Sequence, residues 1–290
     1  MRNSMILFFL LASLLGLAVG CGSQDNAPTL RFTAIPDQNT TELTARFAPL
    51  ADHLSQVLDV PVEYVPSRDY QASVEMFRNG DIQLAWFGGL TGVQARAAVP
   101  GAEAIAEGKA DPEYYSYFIA HASTGLVQKD AFPTDIAGLT FTFGSESSTS
   151  GRLMPEYFIK QNTGKSPKEF FALPVGYSGS HDKTVELVEA GRFQAGVVNY
   201  KVYERRIAEG TSDSEVVKVI WKTPFYADYN FTAHPDLETV FGEGFTKRLQ
   251  EALIGIKDQE LLSALPREAL IAVMRKHQRY FPVEDAKGQL

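Results

Sequence analysis

A helix, a glycine and a strand follow one another twice along this chain, and this repeat limits the folds that it can adopt. Val74-Glu75-Met76, Gly80 and Gln83 return as Val185-Glu186-Leu187, Gly191 and Gln194, all shifted by 111 positions (185 − 74). In each copy, apolar residues at helical spacing end at a glycine that favours a left-handed helix end, and an apolar run follows. Strands that alternate with helices are typical of mostly parallel sheets covered on both faces. The repeat therefore predicts an α/β protein with two lobes of similar plan, with chance similarity between two generic βαβ units as the alternative.

A second pair of matched segments also indicates two lobes. Phe32-Thr33 and Thr40 return as Phe141-Thr142 and Thr149. Each set predicts a strand that runs through a polar loop into a helix.

The segments 114–120 and 216–232 separate the copies, and we expect them to carry the chain between the lobes. The first lobe would then comprise residues 29–117 and 229–290, and the second residues 118–228. Helical spacing in the tail predicts a final helix over Arg267–His277.

The start of the chain is typical of a secretory signal. Arg2 precedes an uncharged, mostly apolar run from Met5, and this run is shorter than the ~20 residues that a membrane-spanning helix needs. The run ends in L-A-V-G-C, which is similar to a bacterial lipobox, and Cys21 is the only cysteine in the chain. We therefore predict a signal peptide over residues 1–20 and a lipidated tether over residues 21–28, with an ordinary cleaved signal as the alternative. The mature protein would lie in the periplasm or at the cell surface, anchored to a bacterial membrane through Cys21.

Composition and spacing exclude several classes of protein. With a net charge of −8 and a pI near 5.2, the chain lacks the basic surface of a nucleic-acid binder. One cysteine cannot form an internal disulfide, so core packing must hold the fold. The histidines show no spacing typical of a metal site, and no glycine-rich phosphate loop is present. We therefore predict no metal, no cofactor and no nucleic-acid partner.

A run of small hydroxyl residues lies between a predicted strand and a predicted helix. The segment 144–151 reads G-S-E-S-S-T-S-G and follows the strand Thr140–Phe143. Unpaired N–H groups at a helix start, the helix dipole and hydroxyl donors together form an anion site without a cation. Ser148, Thr149 and Ser150 exceed what an N-cap needs, so we favour an oxyanion cradle over a richly capped helix.

A histidine opens the helix in the second copy of the repeat. His181 aligns with Tyr70 under the same shift, so both are predicted at helix starts that face one cleft. His181 would donate a ring N–H to an oxyanion, although an exposed helix-start histidine is the simpler interpretation of this residue alone. A Ser-His-Asp catalytic set is not supported, because His181 and Asp182 are adjacent and the preceding G-Y-S-G-S departs from the nucleophile elbow. Trp86 ends a predicted strand and would either line a pocket or fill the core.

Six segments of the chain carry a family resemblance. In chain order they are Asp69-Tyr70, Gly80–Gly88, Ser148–Gly151, Ser180–Asp182, Pro224 and Asp228. This set resembles the substrate-binding proteins of phosphate/phosphite/phosphonate-type ABC transporters, and it is most similar to members labelled as selenate transporter binding proteins. The resemblance implies a two-lobed periplasmic-binding-protein fold, in which each lobe is a mixed, mostly parallel sheet flanked by helices and a two-stranded hinge joins the lobes.

The resemblance also implies roles for individual residues. The ligand-binding set would be Ser148, Thr149, Ser150 and His181 as oxyanion donors, Tyr70 and Tyr117 as cleft walls, and Asp228 as the acceptor of a ligand donor. Trp86 joins this set as a candidate because of its own place at a strand end. Tyr115 is the alternative to Tyr117. Asn199-Tyr200 stands where an acidic residue for a ligand amine would be expected, which disfavours an aminoalkylphosphonate.

The implied function is capture of a small oxyanion of the phosphonate, phosphite, phosphate or selenate class by lobe closure. A monomer that is not an enzyme would deliver this ligand to a membrane permease and its ATPase. Two alternatives remain: a binding protein that signals to a membrane histidine kinase, and a pyrimidine-precursor-synthesis-type enzyme on the same fold. Because a carboxylate repels an oxyanion unless a proton lies between them, Asp228 predicts a preference for singly protonated oxyanions over selenate and sulfate.

Overall fold

The computed structural model describes residues 27–273 and 283–289. Within these ranges the strands are β1 (Leu30–Ala34), β2 (Val62–Tyr64), β3 (Leu84–Phe87), β4 (Glu103–Gly108), β5 (Ser116–His121), β6 (Phe141–Phe143), β7 (Gly176–Tyr177), β8 (Ala195–Asn199), β9 (Val217–Lys222), β10 (Asn230–Ala233) and β11 (Leu270–Ala272). The helices are α1 (Thr40–Leu58), α2 (Tyr70–Arg78), α3 (Gly89–Ala98), α4 (Met154–Thr163), α5 (Pro167–Phe170), α6 (His181–Glu189), α7 (Tyr200–Ala208), α8 (Asp236–Phe241), α9 (Phe245–Gly255), α10 (Gln259–Ser263) and α11 (Val283–Gln289). A wider π-helical turn covers Thr149–Leu153 immediately before α4.

The first lobe is built on a six-stranded sheet in the order β11-β4-β10-β3-β1-β2. β1 pairs in parallel with β2 and β3, whereas β10 pairs antiparallel with β3 and β4. Apolar residues at spacings of three and four place one face of α1 in the core, where the Phe47 ring lies 5.9 Å from that of Phe32 on β1. The sheet is therefore mixed and covered by helices, as expected.

The second lobe is built on a five-stranded sheet in the order β7-β6-β8-β5-β9. β6 pairs in parallel with β7 and β8, and β5 pairs antiparallel with β8 and β9. In each sheet, the strand that follows a connection between the lobes is antiparallel to both of its neighbours. This strand is β10 in the first lobe and β5 in the second. The two sheets thus follow a similar plan.

The repeat predicted from the sequence is confirmed in both lobes. α2 and α6 each end before a glycine, Gly80 with φ +75° and Gly191 with φ +66°, and β3 and β8 follow. Gln83 and Gln194 make the same contact in the two copies: each side-chain oxygen accepts a backbone N–H from the neighbouring strand region at 3.1 Å. The starts of α2 and α6 therefore occupy equivalent places in the two lobes.

Two chain segments connect the lobes, one between β4 and β5 and the other between β9 and β10. Within them Tyr114 and Tyr226 form an isolated antiparallel bridge, in which each backbone N–H donates to the other residue's carbonyl at 2.9 Å. This bridge forms the two-stranded hinge.

The predicted helix over Arg267–His277 is wrong. Leu270–Ala272 form β11, which pairs antiparallel with β4, and residues 274–277 lie outside the described residues. Without β11, β4 would be an edge strand with unpaired N–H and C=O groups. Pairing with β4 therefore determines the conformation of this segment, in spite of its local helical spacing.

Within the part of the chain that the structure describes, no helix has both the length and the apolar character of a membrane span. The predicted signal peptide over residues 1–20, Cys21 and most of the tether over residues 21–28 lie outside the described residues. They therefore stay predictions.

Candidate functional site

The hydroxyl-rich loop after β6 is fixed by its own hydrogen bonds. The Ser148 hydroxyl oxygen accepts the Gly151 N–H at 2.9 Å, and the Gly144 N–H donates to the Gly151 carbonyl at 2.8 Å. The chain then enters the π-helical turn, whose first N–H groups have no carbonyl partner within the turn. Ser148, Thr149 and Ser150 are all buried. The loop therefore directs a cluster of donors into the protein and not into solvent.

A glycine lets this loop approach the start of α6. A Cβ on Gly151 would lie 2.9 Å from the Ser148 Oγ and 3.0 Å from the His181 Cε1, both too close for an ordinary contact. Because Gly151 has no Cβ, the Ser150 Oγ comes within 3.4 Å of the His181 Nε2. The loop and the histidine thus lie side by side, which is the arrangement that a shared site requires.

His181 is a neutral donor. Its Nδ1 accepts the backbone N–H of Asn199 at 3.3 Å, so the proton of the neutral ring sits on Nε2, on the side of Ser150. Burial lowers the pKa of His181 to about 3, because the charged imidazolium would lose its hydration. The ring therefore offers an N–H to the site without bringing a positive charge.

Asp228 lies in the return crossing with one oxygen bonded and the other free of partners. Its Oδ1 accepts the backbone N–H of Gly89 at 2.7 Å and that of Tyr229 at 3.0 Å. Its Oδ2 is buried and has no hydrogen-bond partner among the residues that the structure describes. Burial raises the pKa of Asp228 to about 6, against the lowering effect of these N–H groups and of the Thr149 hydroxyl. A buried acceptor without a partner is costly, which makes this oxygen a candidate acceptor for a ligand donor.

Tyr70 supplies a second polar atom of this kind. It is the first residue of α2, whose N-cap Asp69 accepts the Ala72 N–H at 2.7 Å. The Tyr70 hydroxyl is buried and has no hydrogen bond of regular geometry. Burial raises the pKa of Tyr70 well above its ordinary value, and charges on Asp37 and Asp228 raise it further. Tyr70 therefore stays protonated. Among the described residues, the nearby Ser148 hydroxyl lowers its pKa, but no hydrogen bond of regular geometry reaches the Tyr70 oxygen.

The cradle connects the two lobes. α3 of the first lobe begins after Gly88, which has no side chain to cap the helix. Instead, Asp228 accepts the first N–H, from Gly89, and the Thr149 Oγ1 of the second lobe accepts the next one, from Leu90, at 2.9 Å. Since a helix start needs such acceptors, Thr149 stabilises the closed arrangement as well as lining the site.

Trp86 lies one layer away from the cradle. Its ring stacks on Tyr229 at 5.6 Å, and the Arg267 guanidinium lies 5.3 Å from its centroid. Trp86 lines a small pocket of about 10 Å³ together with Asp37 and Tyr114, and Ser148–Ser150 do not line it. Trp86 is therefore a core aromatic that also lines this small pocket, and its role as a wall of the ligand site stays a prediction.

Tyr117 is not brought to the cradle. Side chains alternate along β5: Ser116 donates its hydroxyl to the Ser150 carbonyl at 2.7 Å, so Tyr117 points to the opposite face. There its hydroxyl donates to Glu204 at 2.8 Å. Tyr115 stacks on Tyr200 at 3.9 Å, also away from the cradle. Sequence reasoning could not choose between Tyr115 and Tyr117, because the start of β5 could not be placed to within one residue.

Comparison with known proteins identifies the family. The family described as "ABC transporter, phosphonate, periplasmic substrate-binding protein" matches residues 32–278. The chain belongs to this family. It is the substrate-binding component of an ABC transporter of the phosphonate class, and not an enzyme.

Two relatives show how similar the chain is to named members. A probable ABC transporter phosphite binding protein, PhnD1 of Prochlorococcus marinus (strain MIT 9301), is 43% identical over 233 residues, which cover 80% of this chain and 78% of that protein. The solved structure of this PhnD1 in complex with methylphosphonate matches with a TM-score of 0.84 at 39% identity, over 90% of this chain and 97% of that one. The phosphate-import protein PhnD of Mycolicibacterium smegmatis (strain ATCC 700084 / mc(2)155) is 29% identical over 218 residues, which cover 72% of this chain and 67% of that protein. The two-lobed periplasmic-binding-protein fold is thereby confirmed.

Several residues around the site of this binding protein were missed from the sequence. Ser116 and the Tyr226 hydroxyl bond to each other behind the Ser150 carbonyl, and the Tyr229 hydroxyl donates to the Asp37 Oδ2 at 2.8 Å. Strand alternation from Ser116 would have indicated the first pair. Asp37 has no such signal, because its role depends on a contact with a residue far along the chain.

Gly88→Ala is expected to hinder closure of the binding protein. A Cβ at this position would lie 3.1 Å from the Thr149 Oγ1 and 3.2 Å from the Asp228 Oδ1, so the methyl would press on the second lobe. We expect ligand affinity to fall about tenfold, since overpacking costs about 1–3 kcal/mol, with little change in the melting temperature of the ligand-free protein. Calorimetric titration with methylphosphonate measures this. Gly138→Ala, whose Cβ meets nothing within 4 Å, is the matched control; equal affinities for both variants would contradict the prediction.

Proposed function

We propose that this binding protein captures a small, singly protonated phosphorus oxyanion, with phosphite and methylphosphonate as the leading candidates. The observation that carries the proposal is the buried Asp228 Oδ2, which has no hydrogen-bond partner within residues 27–273 and 283–289 and lies beside a cluster of neutral donors. An ionised carboxylate there accepts a hydrogen bond from a P–OH group and repels an oxyanion that has no proton. One relative supports the same chemistry: PhnD1 is named as a probable phosphite binding protein, and its solved structure is a complex with methylphosphonate.

The remaining contacts follow from the donors around Asp228. Ser148, Ser150 and His181 donate from their side chains to the ionised oxygens, and the Tyr70 hydroxyl donates from the first lobe. Thr149 donates through its backbone N–H at the start of the π-helical turn, because its hydroxyl is bonded to Asp228. Hydrogen bonds to a charged acceptor contribute roughly 1.5–3 kcal/mol each, so neutral donors suffice without a cation. Trp86 acts indirectly: its ring stacks on Tyr229, whose backbone N–H donates to Asp228. Tyr117 is left out of the proposed set, because its hydroxyl is bonded to Glu204 on the other face of β5.

Capture proceeds by lobe closure. Tyr70 belongs to the first lobe, and Ser148–Ser150 and His181 belong to the second, so a ligand makes all its contacts only when the lobes meet. Because the ligand binds the closed form more tightly than the open form, it shifts the population of the protein toward the closed form. The closed form then docks on the permease and its ATPase. The named relatives are transport proteins, which does not favour the sensory alternative.

We also propose that the protein is a monomer anchored through a lipid on Cys21. The lipobox-like end of the apolar run supports the anchor. One acyl chain binds a membrane only marginally, so the anchor needs more than one. The mass of the N-terminal peptide from membranes tests this, and an unmodified Cys21 would exclude it.

The ligand proposal is tested by calorimetric titration with phosphite, methylphosphonate, sulfate and selenate. We expect binding of the first two to weaken as the pH rises past their second ionisation, because the shared proton is lost. Sulfate and selenate should bind far more weakly throughout. Tight selenate binding that does not depend on pH would overturn the proposal and restore the selenate assignment.

A further inference from the structure

A loop of the first lobe is held by the second lobe outside the cradle. The β1–α1 loop (residues 35–39) follows the first strand, and its Asp37 and Gln38 are buried although both are polar. The His181 N–H donates to the Asp37 carbonyl at 3.0 Å, and the Asn39 N–H donates to the Asp182 Oδ2 at 3.3 Å. Two backbone groups thus connect the lobes directly beside the proposed site.

An arginine completes this contact from α7. The Arg205 Nη2 donates to the Asp182 Oδ1 at 3.0 Å, and its Nη1 donates to the Gln38 side-chain oxygen. That oxygen also accepts a bond of 3.0 Å from Arg46 of the first lobe. Gln38 therefore stands between an arginine of its own lobe and an arginine of the other lobe.

The geometry points to Gln38, Asn39, Asp182 and Arg205 as a closure latch that holds the lobes together whichever ligand is bound. The side chains of Asp182 and Arg205 are only 11% and 16% exposed, so their charge-assisted bonds are partly shielded from water. The hydrogen bonds of Gln38 and Arg205 do not involve Ser148–Ser150 or Asp228. The latch therefore acts on closure and not on ligand choice, and this role rests on the proposed function.

α7 offers a matched control beside Arg205. Arg206 carries the same charge and also lies near Asp182, at 3.5 Å. Its other contacts are Glu186, Thr211 and Ser212, which all belong to the second lobe. Replacing Arg206 thus removes a cation of the same cluster without removing a contact between the lobes.

The test compares Arg205→Ala, Arg206→Ala and Gln38→Ala by titration with phosphite and methylphosphonate. Arg205→Ala and Gln38→Ala should each weaken both ligands by the same factor, about tenfold, because apparent affinity scales with the population of the closed form. The double variant should lose little more than either single one, since both remove the same contact. Arg206→Ala should stay within about twofold of the wild type.

Three results would overturn the latch. The first is an Arg205→Ala affinity equal to that of Arg206→Ala. The second is a changed ratio between the affinities for phosphite and methylphosphonate, which would indicate direct ligand contact. The third is full additivity of the two affinity losses in the double variant. If the wild type binds neither probe, the proposed function fails on its own. In that case the titrations are repeated with phosphate, sulfate and selenate, and equal affinities of Arg205→Ala and Arg206→Ala for the anion that binds would exclude the latch.

Discussion

Asp228→Asn is expected to reverse the preference of the site between protonated and fully ionised oxyanions. The asparagine oxygen still accepts the N–H groups of Gly89 and Tyr229, but an NH₂ donor replaces the free Oδ2. A singly protonated phosphonate then meets a donor in place of its acceptor, whereas sulfate and selenate gain a hydrogen bond and lose a repulsion. We expect affinity for phosphite and methylphosphonate to fall about 100-fold and affinity for sulfate to rise by a similar factor, which corresponds to about 3 kcal/mol in each direction.

Titration at several pH values checks this, with Asp52→Asn on the exposed face of α1 as the control for net charge. The pKa of Asp228 is raised to about 6, so at neutral pH the wild-type carboxylate is ionised and can only accept. Wild-type affinity should therefore decline by about tenfold per pH unit above the second ionisation of the ligand, and the Asn variant should lack this decline. A variant that keeps both the wild-type selectivity and the wild-type pH profile would contradict the role given to Asp228.

The same substitution should stabilise the ligand-free protein. The folded pKa of Asp228, about 6, lies above the unfolded value of 3.8, so the folded state binds the proton more tightly and ionisation destabilises it. The penalty is full above pH 6, reaches about 3 kcal/mol, and disappears below pH 4. Asp228→Asn should thus melt higher than the wild type at pH 7 and equally at pH 3.5. The ionised Asp228 would then lower the stability of the folded protein while it provides ligand selectivity.

The sequence predicted the parts of the site that local chemistry determines. Ser148–Ser150 follow a strand and begin a helical turn, and His181 and Tyr70 begin the equivalent helices of the two lobes, so strand ends and helix starts brought them together. The loop could be recognised because four hydroxyl residues in a row exceed what capping requires.

The sequence could not predict what depends on the exact register of a strand or on contacts distant along the chain. A shift of one residue in β5 decides whether Ser116 or Tyr117 faces the cradle, and propensity does not resolve a single residue. β11 exists because β4 needs a partner, which helical spacing in the tail does not show. Asp37 becomes part of the lobe contact only through Tyr229 and the start of α6.

His181→Gln and His181→Ala are expected to separate the two roles of the histidine, one in binding and one in pH-dependent stability. Alanine removes the Nε2–H donor, so methylphosphonate affinity should fall about 30-fold, whereas glutamine retains an N–H donor and should recover part of the loss. The folded pKa of His181, about 3, lies below the unfolded value of 6.5, so between these values the unfolded state binds more protons and the wild type loses stability as the pH falls. This loss approaches about 5 kcal/mol near pH 3 and is absent from both variants. Other groups, such as Asp228 and Asp37, titrate in the same window with the opposite sign.

The contribution of Asp228, Asp37 and the other titrating groups cancels in the difference between wild type and variant. This difference in unfolding free energy is measured by urea unfolding from pH 8 to pH 4. Any advantage in unfolding free energy that the wild type holds over His181→Gln at pH 8 should shrink steadily below pH 6.5 and change sign toward pH 4. Since His181 stays neutral above about pH 4, the affinity lost in His181→Ala should not depend on pH between 5 and 8. A difference in unfolding free energy that stays constant with pH would mean that His181 carries its ordinary pKa, and the neutral-donor role would fail with it.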